Sequence, residues 1–370
     1  MRNPRKLLSP EGDYPLIHES DFITVNDIKL MFESILGSGS YGCVYKVNNT
    51  RANEKYALKI GVEGLNVPLN EEFRITEYIN SKLPEEEKKR IMKTYFTFKF
   101  GKRTCILYEL LSLNLYQIIC YKGFTPLPLI NVQIIARNVA EGLKSLHSIN
   151  IVHLDIKPEN IMFSDKEFVE VKIGDFGCST FIEKVREQLR NQNNNIVSRY
   201  YRPPEVVLSL ESDTKIDVWS FGCLLAELST GNVLYPGQND LHLLRLIQDR
   251  ARCGIPDEMI KSSKMKSVFF DEDNYLISEK DYLYENKFNN SSEEVESIPN
   301  LKESGFFSWT IDEFIDNLVS NCGYPENEAG INLLKDLLKH TLKINPNDRY
   351  TIQEVLEHDY FKFEFKQEGI

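Results

Sequence analysis

The stretch HLDIKPEN at residues 153–160 places an aspartate, a lysine and an asparagine close together in the chain. Pro158 prevents the stretch from continuing a helix, so these side chains are predicted on an extended or turning segment. There, the carboxylate of Asp155 can accept a hydroxyl proton, and Lys157 can neutralise charge on a transferring phosphoryl group. The amide oxygen of Asn160 suits Mg²⁺, a hard cation that prefers oxygen ligands.

A second candidate magnesium ligand lies in VKIGDFG at residues 171–177, where Asp175 follows an apolar run. Any single carboxylate of this kind is equally well explained by solvation at the surface. The conjunction of a base, a lysine and two oxygen ligands, in this order and at this spacing, favours a catalytic site.

A glycine-rich stretch, GSGSYGCV at residues 37–44, contains the pattern G-x-G-x-x-G at Gly37, Gly39 and Gly42, followed by Val44. Glycine lets the backbone approach phosphates because no Cβ intervenes, but the pattern alone is weak. A dinucleotide-binding fold would place it between a strand and a helix. Here apolar alternation continues on both sides, which favours the turn of a β-hairpin.

Lys59 lies inside YALKI, a run typical of a buried strand, where a charge is costly unless it is paired. Its partner is either Glu72, on the helix predicted next, or phosphate oxygens; an edge-strand lysine is the alternative that needs no partner. Glu72 is preferred to the adjacent Glu71 because it lies three residues before Ile75, on the inward face.

The periodicity of apolar residues divides the 370 residues into a strand-rich part over residues 31–110 and a helix-rich part that follows. The two parts join near Glu109–Leu111. Residues 1–30 are predicted to form a tail or a clamp. The charge is uneven: residues 271–328 carry 15 acidic residues against Lys280, Lys287 and Lys302. The remainder of the chain is therefore close to neutral, since the net charge is −11.

Composition narrows the class of protein. With 42% apolar and 27% charged residues, and no run long enough for a membrane span, a globular protein without a membrane segment is expected. The first ten residues lack the apolar stretch of a secretory signal. Seven scattered cysteines without a CxxC pair argue against a disulfide framework or a zinc site and fit a reducing, intracellular compartment. The net negative charge argues against direct nucleic-acid binding.

Taken together, these motifs resemble those of the eukaryotic protein-kinase family over roughly residues 30–365. The resemblance implies an α+β, bilobal protein-kinase fold with a small β-rich N-lobe (31–110) and a larger α-helical C-lobe (111–365). It leaves residues 1–30 as an N-terminal extension, 255–330 as an acidic insert region and 366–370 as a tail. The implied cofactors are ATP and Mg²⁺.

The resemblance also implies a role for each site residue. The catalytic base is Asp155, assisted by Lys157, and Lys59 pairs with Glu72. The magnesium ligands are Asn160 and Asp175. The ATP site is then formed by the glycine-rich loop, the roof and floor of the adenine pocket, the gatekeeper and the hinge: Gly37, Ser38, Gly39, Ser40, Gly42, Val44, Ala57, Lys59, Tyr108, Glu109, Leu111 and Met162. Glu205 is expected to pair with Arg349, and Asp217 to anchor the catalytic segment.

Lys157 and Ser198 mark a serine/threonine kinase within this resemblance. SRYYRPPEVVL at residues 198–208 resembles the group of cyclin-dependent, MAP, dual-specificity tyrosine-regulated and LAMMER-type kinases. The stretch at residues 230–276 resembles the pre-mRNA-processing factor 4 (splicing) kinases of the dual-specificity branch. Implied partners are protein substrates, basic or arginine/serine-rich, including spliceosomal proteins, and a nuclear or cytoplasmic monomer is expected. The alternatives are a LAMMER-type or other kinase of the group, or a nucleotide-binding scaffold without turnover.

Two positions depart from the family pattern. Leu154 stands where many kinases have an arginine that grips an activation-loop phosphate. Asn195 stands where the branch usually has a tyrosine that it phosphorylates itself. We hypothesise that side-chain hydrogen bonds of asparagine or apolar packing hold this loop, so that activity does not require its phosphorylation; the alternative is a poorly ordered loop that needs a partner. Cys178 follows Asp175, Phe176 and Gly177 directly and is either a reactive thiol or a buried, inert one, of which the second is expected.

Overall fold

The computed structural model describes residues 21–39, 42–63, 66–164, 169–192, 195–278, 282, 309–319 and 328–365. Within these residues an antiparallel six-stranded sheet and one long helix form the N-lobe, and the C-lobe is mainly helical. The α+β, bilobal architecture expected from the sequence is therefore observed.

The sheet of the N-lobe has the strand order β1-β2-β3-β4-β6-β5. Its strands are β1 (Phe22–Val25), β2 (Ile28–Gly39), β3 (Gly42–Asn49), β4 (Glu54–Gly61), β5 (Thr94–Phe100) and β6 (Arg103–Glu109). Alternate side chains of β3 are buried, as expected for a strand with one covered face. The inward side chains of Leu30, Val47, Leu58 and Ile60 belong to one apolar cluster.

Helix α1 (Asn66–Lys82) packs on β5 and β6. Leu69, Ile75 and Ile79 are almost fully buried and recur at helical spacing. The Asn80 amide also donates to the carbonyl oxygen of Thr94, 3.2 Å away. These contacts hold the helix against the sheet and orient its other inward side chains.

The sheet begins at Phe22, nine residues before the predicted start of the N-lobe at residue 31, so β1 and the first residues of β2 lie in the stretch predicted as an extension. Strands β1 and β2 form a hairpin in which Val25 pairs with Ile28. Its two turn residues, Asn26 and Asp27, have φ values of 49° and 62°, the left-handed conformation that a two-residue hairpin turn requires. Short polar side chains tolerate this conformation, which makes Asn-Asp a turn signal.

The C-lobe contains the remaining helices and four short strands. The helices are α2 (Leu115–Tyr121), α3 (Leu129–Ser148), α4 (Ile182–Arg190), α5 (Pro204–Val207), α6 (Lys215–Thr230), α7 (Asp240–Ala251), α8 (Asp257–Ser262), α9 (Lys266–Phe269), α10 (Ile311–Val319), α11 (Glu328–Thr341) and α12 (Ile352–Glu357). The strands are β7 (Ile151–Val152), β8 (Ile161–Phe163), β9 (Val171–Ile173) and β10 (Thr180–Phe181). Strand β7 pairs with β10, and β8 with β9.

Helix α6 is the centre of the C-lobe. Residues 216–230 are all buried, so the buried helix predicted from its apolar sequence is confirmed. It ends at Gly231, whose φ of 74° and whose N–H bond to the Glu227 carbonyl, 2.7 Å long, close the last turn. Helix α3 packs beside it and continues into the catalytic segment.

The region 255–330 is only partly an exposed insert. In α8, α9 and α10 the side chains of Met259, Phe269 and Phe314 are buried in the main core. The loop predicted at residues 289–297 lies outside the described residues, as does the tail at 366–370. Within the described part of the chain, no helix has the length and apolar character to cross a bilayer.

Candidate active site

The glycine-rich stretch lies where β2 turns back into β3, with Gly39 opposite Gly42 and Gly37 opposite Val44. It therefore belongs to a hairpin, and not to the strand-to-helix turn of a dinucleotide fold. A Cβ on Gly37 or Gly39 would meet no atom within 4 Å, so this edge of the loop borders open space. Ser38 lies on β2, whereas Ser40 lies outside the described residues.

Gly42 has a different environment. A Cβ there would lie 2.5 Å from the carbonyl oxygen of Ile60 on the neighbouring strand β4. Because real Cβ atoms do not approach a carbonyl oxygen so closely, this position requires glycine for packing within the sheet. The third glycine of the motif is thus required by the fold itself.

Lys59 on β4 forms the buried ion pair expected from its strand position. Its Nζ lies 2.7 Å from Glu72 Oε2 and 3.4 Å from Asp175 Oδ1. Burial acts to lower the pKa of Lys59, but the two carboxylates outweigh burial and raise the pKa above its ordinary value. Glu71, the neighbour that the helical spacing disfavoured, instead contacts the exposed side chains of Arg74 and Lys184.

The oxygens of Asp155 have three partners. Oδ1 accepts a hydrogen bond from Ser198 Oγ at 2.5 Å, and Oδ2 accepts from Asn160 Nδ2 at 2.9 Å. The Lys157 Nζ lies 2.8 Å from Oδ2 and donates to Ser198 Oγ at 3.1 Å. Base, lysine and serine therefore form one connected group, in which the carboxylate has a defined orientation.

Asn160 and Asp175 are brought together by their backbones, because Gly174 N–H donates to the Asn160 carbonyl at 2.9 Å. The Asn160 amide nitrogen donates to the backbone and side-chain oxygens of Asp155. The amide oxygen of Asn160 can therefore bind another partner. Burial acts to raise the pKa of Asp175, but Lys59, His153 and the Gly177 N–H together outweigh burial and lower the pKa, so this half-exposed carboxylate is ionised at neutral pH. An ionised carboxylate and an amide oxygen suit Mg²⁺, so the residues present fit this cation.

The expected adenine pocket combines residues from both lobes. Ala57 pairs with Tyr108 across β4 and β6, and Val44 pairs with Lys59 across β3 and β4. The Met162 side chain on β8 reaches the backbone of Gly174, where a Cβ would lie 2.2 Å from the methionine methyl group. The expected roof residues therefore lie on neighbouring strands of the N-lobe, and Met162, the expected floor residue, lies beside Gly174 in the C-lobe.

The hinge follows β6. The Glu109 carboxylate points back to Lys172 Nζ, 2.8 Å away, and accepts from the Lys93 backbone N–H at 2.6 Å. Leu111 is half-buried and follows directly. The hinge residues are thereby attached to both lobes through Glu109, a contact that sequence reasoning did not find.

Buried charged residues hold the catalytic segment (residues 153–160) and the segment around Glu205 in the C-lobe. Asp217 accepts from the backbone N–H groups of His153 and Leu154, at 2.8 and 2.9 Å. Glu205 and Arg349 form a bidentate pair with distances of 2.6 and 2.9 Å, and neither side chain is exposed. Both contacts were expected from the resemblance, and both tie the segments around the site to the helical core.

Leu154 has an apolar role. It is buried in a small cluster that is separate from the main core and joins the catalytic segment to the segment after Asp175; its members are Val152, Leu154, Ile182, Val185, Leu189, Val197, Val206 and Ile216. Helix α4 supplies Ile182, Val185 and Leu189 to this cluster. The Asn195 Oδ1 accepts from Arg202 Nη2 at 3.3 Å. Packing and an asparagine hydrogen bond, the two contacts in our hypothesis, are both present.

Cys178 follows the Asp175 turn. Desolvation, together with the carboxylates of Asp155 and Asp175, raises the pKa of its thiol to about 11. The thiolate is therefore scarce at neutral pH, which favours an inert thiol. The Cys178 side chain is exposed, however, and not buried as expected.

Sequence reasoning missed two further contacts at the site. The Tyr108 hydroxyl donates to Glu72 Oε1 at 2.6 Å. The Tyr201 hydroxyl donates to Glu227 Oε2 on α6, also at 2.6 Å. Both join residues far apart in the chain, and no local pattern in the sequence indicates either.

Comparison with known proteins agrees with this geometry. A model of the protein kinase domain matches residues 30–361. Homeodomain-interacting protein kinase 2 of Mesocricetus auratus is 30% identical over 361 residues, which cover 95% of this chain and 30% of the relative. Dual specificity tyrosine-phosphorylation-regulated kinase 2 of Drosophila melanogaster is 33% identical over 264 residues (70% of this chain, 35% of the relative).

The dual specificity protein kinase YAK1 of Saccharomyces cerevisiae is 28% identical over 400 residues, covering 99% of this chain and 48% of the relative. The chain thus spans from 30% to 48% of the length of these three relatives. Because the family model covers almost the whole chain and its motifs converge on one site, this chain belongs to the protein kinase family.

Proposed function

We propose that this protein is a serine/threonine kinase that transfers the γ-phosphoryl group of ATP to hydroxyls of protein substrates. The observation that carries the proposal is the connected group around Asp155, whose carboxylate is oriented by Ser198, Asn160 and Lys157. The intact Lys59–Glu72 pair beside Asp175 supports the same reading. Two of the relatives are named dual specificity kinases, which supports serine and threonine as acceptors, with tyrosine as a further acceptor.

The roles of the chain's residues follow from these contacts. Asp155 orients the substrate hydroxyl and accepts its proton. Lys157 offsets negative charge that develops on the phosphoryl oxygens. Burial acts to lower the pKa of this lysine, but Asp155, together with Glu159 and Asp175, outweighs burial and raises the pKa, so the lysine remains charged. Lys59 would hold phosphate oxygens, and Asn160 and Asp175 would hold Mg²⁺. The bound Mg²⁺–ATP supplies the phosphoryl group and neutralises part of its charge.

The substrate class is proposed from charge and resemblance. The acidic surplus of residues 271–328 favours basic, arginine/serine-rich proteins, because opposite charges raise encounter rates. Spliceosomal substrates and a nuclear site remain proposals that rest on the resemblance to splicing kinases. Identification of proteins captured by the tagged kinase from native cells distinguishes these substrates from those of other kinases of the group.

Transfer of ³²P from labelled ATP to a generic basic protein tests the activity. We expect Asp155→Asn to lower kcat by at least about 100-fold, because the general base is lost. ATP binding, measured by calorimetry, should persist. Asp359→Asn, at an exposed carboxylate paired with Lys362, is the matched control and should leave the rate unchanged. Equal transfer by wild type and Asp155→Asn would remove Asp155 from its role, whereas ATP binding without transfer by the wild type would favour the scaffold alternative.

A further inference from the structure

The two oxygens of Glu72 have different partners. Oε2 lies 2.7 Å from Lys59 Nζ, and Oε1 accepts the hydroxyl of Tyr108 at 2.6 Å. Glu72 is 2% exposed and Tyr108 is 3% exposed. Because water has almost no access, each carboxylate oxygen depends on a donor from the protein.

Tyr108 is placed for this contact by the sheet. It pairs with Ala57, which lies two residues before Lys59 on β4. Side chains at positions i and i+2 of a strand share a face, and directly paired residues of neighbouring strands also share it. Tyr108 and Lys59 therefore leave the same face of the sheet, towards α1, and reach opposite oxygens of Glu72.

We infer that Tyr108 is a positioning residue for phosphoryl transfer: its hydroxyl fixes Glu72, and through Glu72 it fixes Lys59. The inference deepens the proposed kinase function and rests on it. An aromatic ring without the hydroxyl would fill the same space but would leave Oε1 without a donor in a buried place. Glu72 would then turn or shift, and the Lys59 ammonium would move with it.

The contact also has a mechanical consequence. Tyr108 immediately precedes Glu109, where β6 ends and the hinge begins. The Tyr108 hydroxyl thus connects α1 to β6, the strand that leads into the hinge, as does the hydrogen bond from Thr104 Oγ1 to Asn70 Oδ1. Together with apolar packing and the Asn80–Thr94 hydrogen bond, this contact holds α1 against the sheet, and it acts on Glu72 directly.

Tyr108→Phe tests the inference, with Tyr56→Phe as the matched control. Tyr56 also donates its hydroxyl to a glutamate, Glu54, but at an exposed place on β4 outside the site. We expect Tyr108→Phe to lower kcat/KM for ATP by about tenfold, the effect of one lost buried hydrogen bond to a charged group. KM for the protein substrate should not change. Tyr56→Phe should behave as the wild type.

A double-mutant cycle with Glu72→Gln separates positioning from packing. If Tyr108 acts through Glu72, removal of its hydroxyl should cost little in the Glu72→Gln background, so that the two effects are not additive. Additive losses, or a lowered melting temperature with unchanged kcat/KM, would overturn the inference. If Tyr108→Phe alone does not fold, the double variant is compared with Glu72→Gln: equal rates support the inference, and a further tenfold loss contradicts it. A wild type without activity would instead count against the proposed function.

Discussion

Gly39 and Gly42 lie opposite each other at the β2–β3 turn, but the protein around them accepts a side chain at only one of the two. A methyl group on Gly39 meets open space, whereas one on Gly42 meets the Ile60 carbonyl at 2.5 Å. We expect Gly42→Ala to lower the free energy of unfolding by about 1–3 kcal/mol, the usual cost of overpacking. Gly39→Ala is the control. Denaturant titration of both variants is the measurement, and equal stability would show that the sheet relaxes around the methyl group.

The surroundings of Glu227 change the pKa of its carboxyl group. Burial, opposed by the Tyr201 hydrogen bond and assisted by Glu159, raises the pKa of this carboxyl from 4.5 to about 7. The folded state therefore binds the proton more tightly than the unfolded state. Between pH 4.5 and about 7 this group makes stability fall as the pH rises.

Glu227→Gln should remove this pH dependence, because an amide does not ionise and its oxygen still accepts from Tyr201. Between pH 5 and pH 8 we expect the variant to lose less unfolding free energy than the wild type, by up to about 3 kcal/mol. Urea unfolding at both pH values measures the difference, with the exposed Glu357→Gln as control. A pH response like that of the wild type would assign the ionisation to another group.

At the scale of elements, α4 holds the segment that follows Asp175. Its apolar side chains, spaced three and four residues apart, form one stripe that packs around Leu154. On its other side Lys184 lies 3.2 Å from Glu71 of α1, and the preceding Phe181 packs edge-on against Tyr78 of α1. The segment thereby links the catalytic loop to the helix that carries Glu72.

Residues 181–197 contain no serine, threonine or tyrosine. A serine, threonine or tyrosine phosphate therefore cannot form within these residues, where the apolar cluster and the Asn195–Arg202 hydrogen bond hold the chain. We expect phosphatase treatment of active enzyme to leave the ³²P transfer rate unchanged. A large loss of activity, unless traced to a phosphate elsewhere in the segment, would contradict this expectation.

Val185→Asp should release α4, because it places an unpaired charge in a cluster that excludes water. Val185 is fully buried, whereas Glu187 on the same helix is exposed, so Glu187→Ala is the matched control. We expect at least a tenfold loss of transfer activity for Val185→Asp, without loss of the global fold as followed by circular dichroism. Full activity of this variant would show that the cluster does not support the active arrangement.

At the scale of the whole molecule, charge is distributed unevenly. The net charge of residues 271–328 exceeds in magnitude that of the entire chain, and much of this stretch lies outside the described residues. Replacement of Glu293, Glu294 and Glu296 by glutamine should raise KM for a basic peptide and weaken its dependence on salt, since charges in water interact over about a Debye length. A neutral peptide is the control. Unchanged kinetics would favour the alternative, a solvated acidic loop without a docking role.

Much of the site could be predicted because the relevant signals are local. Each signal lies within a few consecutive residues: a lysine in a buried strand, the helical spacing that selects Glu72 over Glu71, and the order of Asp155, Lys157 and Asn160. The Asn26–Asp27 turn was also a local signal, but it was missed, so the predicted start of the N-lobe lies nine residues after the start of the sheet. Helix α4 was missed because its short, highly charged sequence has few apolar positions.

The amino-acid sequence by itself determined the family, the bilobal division and the identity of the residues that meet at the site, because each depends on residue types at short spacing. The tertiary structure alone decided which oxygen of Glu72 each partner takes, why Gly42 must be glycine, and what Leu154 does in place of an arginine. Those answers depend on contacts between residues tens of positions apart, such as Tyr108 with Glu72 or Leu154 with Leu189. Side-chain packing and exclusion of water produce such contacts, and neither is visible until the chain is folded.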